Sequence, residues 1–225
     1  MDFRIDGLET LIEAVNREGI LPMFQSGIPG FSVDDMSPEE SWDGPAKESP
    51  WAWKDAAAGS RRCAYGKLLA GRAGFVSLEW FPKFANYRRD GYDFDSLLDD
   101  GLALPGTEEI MNIIMREGPT TSMVLRQKMG LDTRSGRYRF EKLSGWLQMH
   151  CYILQGGFVY KKYKNGRTED YGISLFDTPE HLFGEDLVRS AYSEDPEKSL
   201  DDIMAMVTSR HPDFDRKKLR GLLRR

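Results

Sequence analysis

The sequence predicts an α+β fold that is mostly helical, and three observations near its centre predict it. Three stretches between residues 107 and 152 carry apolar residues at helical spacing, with glycines after the first two. Two runs with strand character follow, at 153–160 and 171–176. Asn165-Gly166 between them is typical of a tight hairpin, because such a turn needs positive φ at both central residues. Three helices followed by a hairpin indicate a central winged helix-turn-helix, here flanked by helical segments.

The organisation of the whole chain follows from the same patterns. We expect an acidic N-terminal helix with an aromatic wrapping loop (1–58), a helical segment (59–104), the winged helix-turn-helix (105–185) and a C-terminal helical segment (186–225).

The first region combines a helix with a loop. Residues 6–18 place Leu8, Leu11 and Val15 on one helical face, and Gly19 ends the pattern. The stretch 20–50 is rich in Pro, Gly, Ser and acids, yet it also holds several aromatic residues. This aromatic content indicates a loop that packs on a core, since disordered linkers contain few aromatics.

The next region is predicted from weaker signals. Residues 54–70 are interpreted as a helix that is basic on one side, and residues 75–77 as a short turn. Ser77 is predicted to be the N-cap of a helix from Leu78 to about Tyr87, with Pro82 inside it. A polar connection over 90–105 then leads to the winged helix-turn-helix.

The central region has clearer boundaries. Thr107 is expected to cap its first helix, and Gly118-Pro119 ends that helix. Thr121 or Ser122 begins the second, and a basic turn precedes the third, from about Tyr138 to Tyr152. Towards the C-terminus, Ser199 is expected to cap one helix, and a basic helix spans about 215–223.

Charge is distributed unevenly over a chain whose net charge is −5. Residues 1–58 carry 12 acids against 4 bases, whereas residues 120–170 carry 10 bases against 4 acids. Residues 210–225 are also basic, with 7 bases against 2 acids. Such segregation indicates partners better than the total charge does.

The basic residues of the central region predict an interface with double-stranded DNA. In a winged helix the third helix commonly enters the major groove and the hairpin touches the backbone, which Lys and Arg contact through phosphates. The candidates at the start of the third helix and on the hairpin are Arg134, Arg137, Arg139, Lys142, Lys161, Lys162, Lys164 and Arg167. Winged helices also serve as protein-interaction modules, so this alternative stays open, with the acidic N-terminal region as the partner face or as a cover over the basic one.

Composition excludes several other classes. The longest apolar runs are far shorter than the roughly 20 residues of a membrane helix, and no basic and apolar leader is evident, so we expect no membrane contact and a cytoplasmic address. Cys63 and Cys151 are isolated, which argues against disulfides and structural zinc. The three histidines lack ligand spacing and no nucleotide-binding motif is present, so the sequence suggests neither a metal nor a cofactor.

Residues 61–89, RRCAYGKLLAGRAGFVSLEWFPKFANYRR, resemble a segment of the AlkZ/YcaQ winged-helix DNA glycosylases. The order of Tyr65, Trp80-x-Pro82 and Arg88-Arg89 carries this resemblance. The stretches IMREGPTTSMVLRQKMG and YGISLFDTPEHLFGED are similar to later parts of the same family, and SWDGPAKESPWAWKD marks a shorter, AlkZ-related group. The resemblance implies a DNA-repair context and a DNA-binding architecture.

Catalysis is a separate question. The catalytic motif of the glycosylases is Gln-x-Gln or Gln-x-Asp, whose polar groups position a water. The one candidate here is Gln25, and Gly27 at the third position has no side chain that could hold a water. The sequence therefore predicts a DNA-binding protein without glycosylase activity; the alternative is an active enzyme for alkylated or crosslinked bases that uses Gln25 or an acid of the 20–50 loop. Trp42, Trp51 and Trp53 are predicted to pack in the core, with stacking on unpaired bases as the alternative.

Overall fold

The computed structural model describes residues 3–43, 48–162 and 172–224. The elements of the first half are α1 (Leu8–Glu18), β1 (Ile20–Pro22), α2 (Val33–Met36), α3 (Glu39–Trp42), α4 (Pro50–Gly59), β2 (Cys63–Leu69), β3 (Arg72–Ser77), α5 (Phe81–Arg89) and α6 (Phe94–Asp99). Those of the second half are α7 (Thr107–Glu117), β4 (Thr120–Thr121), α8 (Ser122–Lys128), α9 (Arg134–Met149), β5 (Leu154–Val159), β6 (Ile173–Asp177), α10 (Pro179–Phe183), α11 (Glu185–Val188), α12 (Pro196–Arg210) and α13 (Arg216–Leu223). The mixed α+β class is confirmed, and helices hold just over half of the described residues, 53%.

Two small antiparallel sheets organise the described residues. The first has the order β1-β3-β2, with Ile20 opposite Val76 and Tyr65 opposite Phe75. The second has the order β4-β6-β5, with Thr120 opposite Phe176 and Val159 opposite Ile173. The sheets belong to one packed body, because β2 lies against both α9 and β5, and α4 lies against β5.

The first sheet is where the sequence prediction was wrong. The helix predicted over 54–70 ends at Gly59, and Cys63–Leu69 is strand β2. Residues 75–77 belong to strand β3 and not to a turn. Nearly every residue of β2 is buried, because helices and β5 cover it, so its sequence lacks the alternation that distinguishes a half-buried strand from a helix.

Helix boundaries in this region also differ from the prediction. Ser77 is the last residue of β3, and Trp80 precedes α5. Pro82 lies in the first turn of α5, where a missing N–H costs nothing because that N–H has no intrahelical partner. Further along, Gly106 and not Thr107 is the N-cap of α7, and the Thr107 hydroxyl donates to the Leu104 carbonyl at 2.6 Å. Asp195 and not Ser199 caps α12.

The central region follows its predicted order of elements. Thr121 caps α8, its hydroxyl accepting from the Val124 N–H at 3.3 Å. β5 and β6 pair as predicted, while the predicted turn at Asn165-Gly166 lies outside the described residues. The third helix begins at Arg134, earlier than predicted, which brings Arg134 and Arg137 into the helix itself.

The acidic N-terminal region is part of the core. α1 buries Leu11, Ile12 and Val15 in a cluster shared with Tyr65 and Phe75 of the first sheet. β1 supplies one strand of that sheet. Within the described part of this region, α1 and β1 are therefore integral to the fold and not a detachable cover over the basic region.

Candidate nucleic-acid interface

The start of α9 presents a group of unpaired basic side chains. Arg134, Arg137, Arg139 and Lys142 are all exposed, and among the described residues no carboxylate pairs with any of them. Tyr138 lies between them and is 80% exposed. These four of the eight predicted contacts therefore lie together on the first turns of one helix.

Local sequence explains where α9 begins. Thr133 is its N-cap, and its hydroxyl oxygen accepts from the Gly136 N–H at 3.1 Å. Acidic residues commonly occupy a first helical turn because the dipole is positive there, but α9 has none and begins with Arg134. The positive charge of Arg134 therefore lies at the end of the helix where the dipole does not favour it.

The C-terminal half of α9 is covered. Lys67 of β2 pairs with Glu141 at 2.8 Å. The buried Gln148 accepts from the Lys67 N–H and from Gln155, at 3.0 Å each, and donates to the Ser144 carbonyl at 3.1 Å. These bonds fix β2 against α9, where Leu143, Ser144, Leu147 and Gln148 are buried. The part of α9 most open to a partner therefore runs from Arg134 to Lys142.

The strand β5 places further basic residues next to the first sheet. Lys161 and Lys162 follow β5 and are exposed. The predicted contacts Lys164 and Arg167 lie outside the described residues, so they remain predictions. The hydroxyl of Tyr160 donates a hydrogen bond to Asp55, which ties this end of β5 to α4.

Sequence reasoning missed a buried ion pair on α4. The Lys54 ammonium lies 2.6 Å from the Asp55 carboxylate, and their side chains are only 12% and 13% exposed. Lys54 also lies 4.0 Å from the centroid of the Phe158 ring. Partial burial first, and the hydrogen bond to Asp55 second, raise the pKa of Tyr160 above its usual value. The only sequence signal for this ion pair is that Lys54 and Asp55 are adjacent and follow Trp51-x-Trp53.

The candidate Gln25 does not lie in a catalytic arrangement. Its side chain is exposed. The carbonyl of Gly27 accepts from the Lys218 ammonium at 3.0 Å, which ties this loop to α13. Asp35, one of the acids considered as a substitute, is held by Ser32 at 2.7 Å in the cap of α2. The described residues bring no second polar group to Gln25 by hydrogen bonding.

The arginines that carried the family resemblance are structural. Arg88 is fully buried and donates to the Leu68 carbonyl at 2.6 Å. Arg89, 3% exposed, pairs with Glu180 at 2.6 Å and donates to the Cys151 carbonyl at 2.6 Å. Both side chains join parts of the interior, so neither is available to DNA.

Histidines and acids form no metal centre within the described ranges. His150 stacks on Trp146, His181 pairs with Asp177 at 2.5 Å, and His211 pairs with Glu18 at 2.5 Å. Across the same residues, each helix is too short or too polar to cross a lipid bilayer.

Comparison with curated proteins finds no significant match, and comparison with solved structures finds none. A family model described as "AlkZ related" matches residues 5–224, which is nearly the whole chain. The match includes both sheets and the basic start of α9, and it agrees with the resemblance seen in the sequence. The chain therefore belongs to the AlkZ-related family.

Proposed function

We propose that this chain is a DNA-binding protein whose residues 107–177 form a winged helix that contacts duplex DNA. The order α7-β4-α8-α9-β5-β6 and the sheet order β4-β6-β5 support this assignment of the module. The proposed DNA contact rests on one observation. Four basic residues at the start of α9 are exposed, and no described carboxylate pairs with them: Arg134, Arg137, Arg139 and Lys142.

The mechanism is neutralisation of backbone phosphates. A chain with net charge −5 repels DNA as a whole, so attraction has to be local. The start of α9 and the pair Lys161-Lys162 supply that local charge. Because β2 covers the C-terminal half of α9, the helix approaches the duplex with its first turns and reads few base edges. Weak sequence preference and strong salt dependence follow.

Measuring the affinity of the protein for a short paired duplex at several salt concentrations tests this function. If about five charges reach phosphates, log affinity against log salt should have a slope of about −4 to −5. R137E and K161E/K162E should each weaken binding and flatten the slope. K198E is the matched control, because it reverses one exposed charge on α12, remote in sequence from the module. Equal loss of affinity in K198E and R137E would contradict a localised interface.

The proposal includes the absence of glycosylase activity. Hydrolysis of a glycosidic bond needs polar groups that hold a water beside the sugar, and electrostatic support of the developing charge is often the largest contribution. The exposed Gln25, with Gly27 two positions on, supports no such arrangement. Duplexes carrying methylated or crosslinked guanine should remain intact after incubation and treatment that cleaves abasic sites. Excision that disappears in Gln25→Ala would instead establish an enzyme.

A further inference from the structure

A patch of exposed aromatic rings lies beside β5 and has no part in the duplex contact described above. We call Phe24, Trp51 and Tyr160, backed by the half-buried Trp42, the aromatic patch. Phe24 and Trp51 are each 42% exposed and Tyr160 is 38% exposed. Trp53, two residues from Trp51, is buried, so α4 directs one tryptophan inward and the other outward.

The rings of the patch support one another. Trp51 lies 5.7 Å from Phe24 and 5.6 Å from Trp42 between ring centroids, and Phe24 lies 5.9 Å from Trp42. These contacts are within the range of favourable aromatic pairs. Trp51 is therefore held in place by its neighbours while part of its surface faces solvent.

The buried ion pair on α4 connects these rings to the basic end of β5. Lys54 lies 5.7 Å from the Trp51 ring on one side and 4.0 Å from the Phe158 ring on the other. Asp55 accepts the hydrogen bond of Tyr160. Lys161 and Lys162 follow directly and are exposed. Lys54 and Asp55 thus link the Trp51 ring to Phe158 and Tyr160, at the end of β5 that leads into Lys161 and Lys162.

We infer that the aromatic patch binds an unpaired base by stacking, with Lys161 and Lys162 on the flanking phosphates. This inference rests on the proposed function and deepens it, because it names unpaired or extruded nucleotides as the preferred DNA. Flat rings next to exposed ammonium groups match a base and its phosphates, since every base has a π face and an adjoining negative charge. An aliphatic partner surface would not require the two lysines.

The test compares a fully paired duplex with the same duplex carrying a run of unpaired thymines. Stacking on aromatic side chains typically raises affinity about tenfold per base. The wild-type protein should therefore prefer the unpaired DNA by roughly that factor, and tryptophan fluorescence should be quenched on binding. W51A should lose the preference, whereas W51F should keep most of it and lose most of the quenching.

Control variants distinguish a folding defect from a loss of binding, and the pattern of affinities distinguishes the two proposals. M115A removes another exposed apolar side chain, on α7, and should leave both affinities unchanged. Should W51A fold poorly, the loss of quenching in the conservative W51F still decides the case. Equal wild-type affinity for the two DNAs, or a preference that persists in W51A, overturns this inference alone. Binding only to the unpaired DNA overturns the duplex function alone, and binding to neither overturns both.

Discussion

Arg134 is a basic side chain at a helix position that the helix dipole does not favour. It occupies the first position of α9, where the dipole favours a negative group. R134E should raise the free energy of unfolding by about 0.3–1 kcal/mol, as expected for an acid at this end of a helix. The same change should weaken duplex binding several-fold. Urea unfolding and a binding titration measure the two effects.

K142E provides the comparison for that prediction. Lys142 lies in the interior of α9 and is exposed, so its reversal should weaken binding without the gain from the dipole. A fall in stability in R134E would contradict the interpretation of Arg134 as a residue that the helix dipole does not favour.

The two cysteines behave as buried apolar residues. Burial raises the pKa of Cys63 and of Cys151 from an ordinary value of 9.0 to about 12 in each case. At pH 9 both thiols are neutral in the folded protein, while about half of the unfolded thiols are ionised. Their contribution to stability is therefore complete below pH 9 and is lost as the pH rises towards 12.

Urea unfolding at a series of alkaline pH values checks this expectation. The free energy of unfolding should decline above pH 9, and C63A/C151A should show a shallower decline. Native protein at pH 8 should also resist alkylation. Labelling of either cysteine at the rate of a free thiol would show that the site is open.

At the scale of the element, α9 contains two glycines in different surroundings. A Cβ at Gly136 would lie 2.7 Å from both the Cα and the carbonyl oxygen of Leu131, whereas one at Gly145 would meet only the Lys67 side chain at 3.9 Å. G145A should stabilise the protein by about 0.5–1 kcal/mol through helix propensity. G136A should destabilise it by roughly 1–3 kcal/mol, because backbone would have to move. Thermal unfolding of the two variants side by side measures both signs, and stabilisation by G136A would contradict this close approach.

Secondary-structure elements with local sequence signals could be predicted, and those without such signals could not. α7, α8, β5 and β6 were predictable because caps, glycine stops and apolar spacing are local signals. The β2-β3 hairpin was missed because its turn uses Ala70 and Gly71, both with positive φ, inside a run that reads as helical. An alanine at such a position gives no turn signal.

The candidate site residues also fall into two groups, those that the sequence predicts and those that depend on tertiary packing. The basic residues of α9 were found from charge clustering together with the predicted order of elements, and the structure places four of them, all exposed, between Arg134 and Lys142. The contact of Tyr160 with Asp55 joins residues 105 positions apart, so no local pattern could reveal it. Which of Trp42, Trp51 and Trp53 faces solvent likewise depends on packing between α4 and the Phe24 loop.

At the scale of the whole molecule, Arg89 joins separate parts of the chain. Its guanidinium on α5 bonds Glu180 of α10, the Cys151 carbonyl and the Tyr192 hydroxyl. E180A should lower the free energy of unfolding by about 3 kcal/mol, since it leaves a buried charge without its partner. E9Q breaks the exposed pair with Arg62 and should have no resolvable effect. Urea denaturation compares the two, and equal midpoints would exclude Arg89 as a major link.

The position of β1 at the edge of the first sheet has a consequence for the nascent chain. Ile20 of β1 pairs with Val76 of β3, so more than fifty further residues have to be synthesised before β1 can pair with β3. At typical elongation rates this takes roughly 3 to 11 s. During that interval the apolar face of α1 and the open edge of β1 have no cover, and unpaired edges are prone to aggregation. The pairing edge of β1 therefore stays open on the nascent chain until β3 has been synthesised.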